Sequence, residues 1–139
     1  MTFRVFNRHN IQRIRVKVPY IVVSISDKIE NLPILPPDEL RLGILRLAFF
    51  DTELPDTADS FTPELAKQIL RFIKRYIKHV ELVICQCDAG ISRSAGVAAV
   101  LSKIINDDDM EFFRPPYHPN RLVYRTILNE YEKRKHHGV

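Results

Sequence analysis

Long apolar runs are missing from this sequence: none approaches the ~18–20 residues that a bilayer span needs. A membrane-spanning helix is thereby excluded. Cysteine is scarce as well, with only Cys85 and Cys87. They stand two apart on an expected strand, so their side chains share a face. Their Cα atoms would lie ~6.5–7 Å apart, at the far edge of disulfide geometry. A disulfide framework is excluded, and a reducing, cytoplasmic location is the default. No nearby histidine completes a metal-ligand set, so no zinc site is expected. The first eighteen residues, MTFRVFNRHNIQRIRVKV, carry arginine throughout and lack the apolar core of a signal peptide. Internal repeats and low-complexity segments are absent. So is tryptophan, which bears on one motif below.

Charge of one sign is also in short supply. Lys and Arg number 21 against 17 Asp and Glu, a formal net charge of +4. That excess suits an anionic substrate. It falls short of the dense basic stripe of a nucleic-acid binder. The 139 residues are 45% hydrophobic, enough for one core, and fit a single domain spanning 1–139.

The patterning predicts alternating strands and helices. Phe3 to Val18 mixes apolar and basic residues and is extended in character. Tyr20 to Ile25 (YIVVSI) is β-branched-rich and reads as a buried strand. Three prolines keep Leu32 to Pro37 irregular. Leu42 to Phe50 reads as a further strand, and Asp51 to Phe61 is a polar loop with four acids. Thr62-Pro63-Glu64 opens a helix with an N-cap, proline at N1 and an acid in the first turn. Leu65, Ile69, Phe72, Ile73, Tyr76, Ile77 and Val80 share one face of it. Lys67, Arg71, Lys74, Arg75 and Lys78 share the other, which is a solvated face or one that meets an acidic partner. Leu82 to Gln86 is a short apolar strand. Arg93 to Asn106 is a helix, apolar almost all round in its first half, that ends at Asp107 to Asp109. Asn120 can cap a last helix bearing Leu122, Val123, Ile127, Leu128 and Tyr131. This order predicts an α/β domain with a central, mixed but mostly parallel sheet flanked by helices.

The informative stretch is Cys87-Asp88-Ala89-Gly90-Ile91-Ser92-Arg93-Ser94. Its Cys-x5-Arg spacing alone is weak evidence, and its place between a strand and a helix strengthens it. A loop there presents successive backbone N–H groups, and the helix N-terminus adds a positive dipole. Gly90 permits the torsions of a tight turn. The same field favours a thiolate at Cys87, the reactive form of sulfur. Residues Asp88, Ala89, Gly90, Ile91 and Ser92 would cradle an oxyanion, and the fork of Arg93 can hold two of its oxygens. Ser94 can donate a hydrogen bond to the sulfur when it leaves.

Residues 87 to 94, with Ala95 and Gly96 beyond, resemble the signature of the cysteine-dependent protein tyrosine phosphatase superfamily, in its dual-specificity form. Weaker similarity runs from Leu42 to Tyr131 and includes Pro119-Asn120. The resemblance implies that Cys87 attacks phosphorus, that a thiophosphate forms and that water hydrolyses it. It also implies an aspartate on a loop some 30–40 residues before the cysteine as general acid and base. Asp51, 36 positions before Cys87, is the first choice, with Asp56 and Asp59 as alternatives. The chain departs from the family pattern in three ways. Gln86 stands where the family usually has His, the Trp-Pro-Asp form of the acid loop is missing, and Asp88 puts a carboxylate beside the cradle.

The resulting expectation is a phosphatase of protein tyrosine or dual specificity, acting on a phosphorylated protein or peptide without metal or cofactor. Two other readings use the same residues. One is a non-catalytic phosphate-binding module. The other keeps the chemistry on an RNA 5′-triphosphate, a phosphoinositide or a small metabolite. The acidic Asp88 opposes a highly charged inositol head group.

Overall fold

Four strands form one sheet in the order β1-β4-β2-β3: β1 (Thr2–Phe6), β2 (Tyr20–Ser26), β3 (Arg41–Ala48) and β4 (Leu82–Gln86). The computed structural model describes residues 1–136, so the last three positions of the expected 1–139 domain lie outside the described residues. All three strand pairings are parallel, which sharpens the expectation of a mixed, mostly parallel sheet. Parallel pairing gathers the carboxyl ends of the four strands on one edge. In open α/β sheets that edge is where ligands bind.

Side chains alternate between the two faces of the sheet. On β2, Ile21, Val23 and Ile25 join the larger core, and Tyr20 and Val22 the smaller. On β4, Val83, Cys85 and then Cys87 face the larger core, while Leu82 and Ile84 face the smaller. The larger core is covered by three helices: α2 (Pro63–Tyr76), α3 (Arg93–Asn106) and α4 (Arg121–His136). The smaller is closed by Ile11 of the four-residue helix α1 (Arg8–Ile11), with Leu35 from the proline-rich segment.

Local chemistry sets the ends of these helices. The hydroxyl of Thr62 accepts the N–H of Leu65 at 3.3 Å and caps α2, with Pro63 behind it. Asp107 adopts a left-handed conformation and ends α3. The Asn120 side-chain Oδ1 accepts the N–H of Val123 at 3.0 Å at the start of α4. From Arg93 to Ser102 every residue of α3 is buried, as its apolar sequence implies.

Two expectations shift. The segment from Phe3 to Val18 is not uniformly extended. It forms β1 and then α1, because the Asn7 side chain accepts the N–H of Asn10 and nucleates a turn. The third strand ends at Ala48 rather than Phe50. Phe50 N–H leaves the ladder to bond Asp59 O at 2.7 Å, and Phe49 tucks its ring against Phe61.

Candidate active site

Cys87 is the first residue beyond β4, at the sheet's carboxyl edge, and Arg93 opens α3 six residues later. The carbonyls of the loop between them point outward. Asp88 O accepts from Arg8 N at 3.1 Å, Ile91 O from His118 N at 2.9 Å, and Ser92 O from Asn120 N at 3.0 Å. Among the described residues, no backbone carbonyl takes the N–H groups of residues 88 to 93. Unpartnered amides on the inside of a turn, next to a helix N-terminus, make an anion site. Gly90 lies at φ +68°, in the left-handed region, and its Cα abuts the Phe6–Asn7 backbone.

The sulfur of Cys87 lies on the floor of this turn, 2% exposed, with Ser94 Oγ 2.9 Å away. Burial pushes the Cys85 thiol well up from its ordinary range, and the neighbouring Cys87 adds to the shift. Cys85 therefore stays a protonated, inert thiol in the core.

The Arg93 side chain is buried and bound on several sides. One guanidinium nitrogen donates to Asp27 Oδ1 at 2.7 Å and to the Phe49 carbonyl at 2.7 Å. The other lies 3.6 Å from Asp88. The far oxygen of Asp88 is 3.6 Å from Arg8. Parallel topology explains the gathering. Asp27 follows β2, Phe49 follows β3 and Arg8 follows β1, so each emerges beside the loop that follows β4. Asp27 and Arg8 were not singled out by the sequence reading. The available signal for both was a polar residue at the carboxyl end of an apolar strand.

Of the three candidate acids, Asp51 reaches the loop. Its Oδ1 accepts from Ser92 Oγ at 2.7 Å and from Asn120 Nδ2 at 2.9 Å. Asn120 also donates to Thr52 O at 3.1 Å, and Glu53 accepts from Arg121 N at 2.6 Å. The start of α4 thus fastens the Asp51–Glu53 segment beside the cysteine loop. Asp56 and Asp59 instead occupy left-handed turn positions, and among the described residues neither carboxylate bonds the loop. Gln86 faces the opposite side of the sheet from Cys87. Its side-chain oxygen accepts from Ser24 Oγ at 2.5 Å, while its Nε2 is buried without a partner. Such an orphan costs about 1–3 kcal/mol. Open clefts flank the loop on both sides. One, of about 520 Å³, is lined by Asp51, Phe113, Tyr117, His118 and Arg121; the other, of about 430 Å³, by Arg8, His9, Gln12 and Asp88.

The parallel sheet with its cysteine loop opening a buried helix has the fold of solved protein tyrosine and dual-specificity phosphatases. Human DUSP28 matches with a TM-score of 0.67 at 14% identity, over 97% of this chain and 94% of its own. PTPMT1 in complex with PI(5)P matches at 0.62 and 15% identity, over 99% and 95%. Human tyrosine phosphatase-like serine/threonine/tyrosine-interacting protein matches at 0.58 and 20% identity, over 82% and 76%. No protein-family model and no curated protein matches the sequence. At these identities the likeness defines the fold, and chemistry must be argued from the residues.

Proposed function

We propose that this chain hydrolyses phosphomonoesters of tyrosine, and of serine or threonine, on proteins or peptides through a cysteinyl-phosphate intermediate. The observation that carries the reading is the 2.9 Å contact of Cys87 Sγ with Ser94 Oγ, at the floor of a turn whose inner amides are unpartnered. In the first step the Cys87 thiolate attacks phosphorus, and the ester P–O bond breaks as the P–S bond forms. Asp51 gives its proton to the departing oxygen. In the second step Asp51 takes a proton from water as its oxygen attacks phosphorus. The P–S bond breaks, Ser94 donates a hydrogen bond to the sulfur, and orthophosphate leaves. Arg93 and the amides of residues 88 to 93 stabilise the charge that builds on the equatorial oxygens.

Asp88 supports this substrate class over polyanionic ones. Its carboxylate stands 3.6 Å from the Arg93 guanidinium and repels any second phosphate beside the cradle. That argues against a phosphoinositide, the ligand bound by PTPMT1. The flanking clefts are open and wide, which suits phosphorylated side chains of different length.

The test is turnover of an aryl phosphate by the wild-type chain and by Cys87→Ser. Turnover by the wild type and none by the variant supports the reading, and equal rates in the two end it. A non-catalytic phosphate-binding module is the second reading. It is favoured by Gln86, directly before Cys87, whose buried Nε2 has no partner among the described residues. Binding of a phosphopeptide without any burst of product would establish that alternative.

A further inference from the structure

Far from the loop, the carboxyl-terminal halves of α2, α3 and α4 leave a groove of about 320 Å³ between them. Its floor is apolar: Leu70 and Ile77 from α2, Leu101 and Ile104 from α3, Tyr131 from α4. Ile104 lies eleven residues along α3 from Arg93, which at ~1.5 Å per residue is roughly 16 Å away. Among the described residues, the groove's charged lining residues are Lys74 and Arg134, and no acid lines it. The basic rim extends further. Lys67, Arg71 and Lys74 fall four and three residues apart on one stripe of α2, and Lys78 continues the spacing just past the helix. Lys67 is occupied by Glu64 at 3.6 Å. Among the described residues, Arg71, Lys74, Lys78 and Arg134 have no ion-pair partner.

We infer that this groove docks an acidic amphipathic helix from a partner protein. A concave apolar floor takes a ridge of side chains spaced i, i+3 or i+4 and i+7. Four unpaired cations along its edge select carboxylates on the flanks of that ridge and repel a basic helix. A flat bilayer surface has no ridge to enter a concave site. Lys78 stands eleven positions after Lys67, or ~16 Å at ~1.5 Å each, so the stripe matches about three turns of bound helix. This surface is separate from the proposed phosphate site, because no residue of the loop lines it.

The experiment uses the full chain and fluorescence anisotropy with synthetic 14-residue peptides. One carries Leu and Phe at i, i+3, i+4 and i+7 with Glu at the other positions. A second replaces Glu by Lys, and a third scrambles the first. The patterned Glu peptide is expected to bind at least tenfold more tightly than either control. Its affinity should fall about tenfold between low and physiological salt. The surface variant Lys74→Glu/Arg134→Glu, which removes no core side chain, should weaken it at least tenfold and leave aryl phosphate turnover at the wild-type rate. Ile104→Gln should weaken it without changing its salt dependence. Equal binding of patterned and scrambled peptides overturns the inference. So does tighter binding of the Lys peptide, or full affinity in the double charge variant. Dodecanoate displacing the peptide while the patterned and scrambled forms bind alike would assign the groove to an acyl chain. Concentration-dependent dimerisation lost on Lys74→Glu/Arg134→Glu, with no peptide binding, would assign it to a second copy.

Discussion

Replacing Gly90 by alanine tests how tightly the phosphate loop is wedged against the first strand. Two separate penalties apply. At φ +68° an L-residue is in the left-handed region, which costs about 1–2 kcal/mol. An added Cβ would also lie 2.7 Å from Asn7 N and 2.9 Å from Phe6 C. Both neighbours are backbone, and they are stitched to the loop through Cys87 N to Phe6 O and Arg8 N to Asp88 O. Relieving the overlap means moving one against the other, which for inserted bulk costs about 1–3 kcal/mol. Together the loss is about 2–5 kcal/mol, a large share of the ~5–15 kcal/mol that holds a domain folded. Urea unfolding followed by circular dichroism measures it. Gly90→Asn separates the two penalties, because asparagine tolerates the left-handed region and keeps the clash. It should recover about 1 kcal/mol relative to alanine. Vanadate inhibition should weaken at least tenfold in both variants. A loss below about 1 kcal/mol in Gly90→Ala, with vanadate binding intact, would show that the loop does not lean on β1 as argued.

Asp51→Asn should lower kcat about 10²–10⁴-fold on an alkyl phosphate and much less on a nitrophenyl phosphate, whose leaving group needs no proton. Asp56→Asn and Asp59→Asn should leave both rates near wild type, and a larger loss in either would move the acid role to that residue. Iodoacetamide should modify Cys87 alone in the native chain and Cys85 only after unfolding in urea, because burial keeps Cys85 a protonated, covered thiol; mass spectrometry of the alkylated peptides decides it. At alkaline pH the buried Cys85 thiol, raised well above its ordinary range near 9, begins to cost stability first, and two raised tyrosines follow. Burial and a hydrogen bond to Asp38 push Tyr20 up to about 12, and burial with a bond to Asp109 pushes Tyr124 up to about 12. A raised folded value means the contribution is complete below the unfolded value of about 10 and is lost as pH climbs towards 12. The urea midpoint should therefore hold up to about pH 9 and then drop, and Tyr20→Phe should flatten part of the drop above about pH 10.

Much of this architecture is legible in local pattern. The start of α2 and both ends of α3 follow from Thr62-Pro63 and from the Arg93-to-Asn106 apolar run, because caps and helical periodicity act over a few residues; α2 stops at Tyr76, short of the Val80 its periodicity reaches. The cysteine loop is legible for the same reason: eight consecutive residues carry the cysteine, the guanidinium and the turn. Asp27 is not, since it lies 66 residues from Arg93 and becomes its partner only through strand order. Asn120 reads correctly as a helix cap, but its second task, holding Asp51 across 69 residues, depends on how α4 meets the loop. Arg8 is hidden in a run of arginines that looks like a uniform basic segment. The basic side of α2 shows in the sequence, whereas the apolar groove beside it needs three helices to be assembled.

The ring of charges around Arg93 bears on how a substrate arrives. Three carboxylates, Asp27, Asp51 and Asp88, stand about two guanidiniums, Arg93 and Arg8. Seen from a distance these nearly cancel, so the mouth casts no strong attractive field into solvent. On the proposed function, a phosphorylated chain would be found by random collision rather than drawn in from afar, and its capture rate should change little when ionic strength rises.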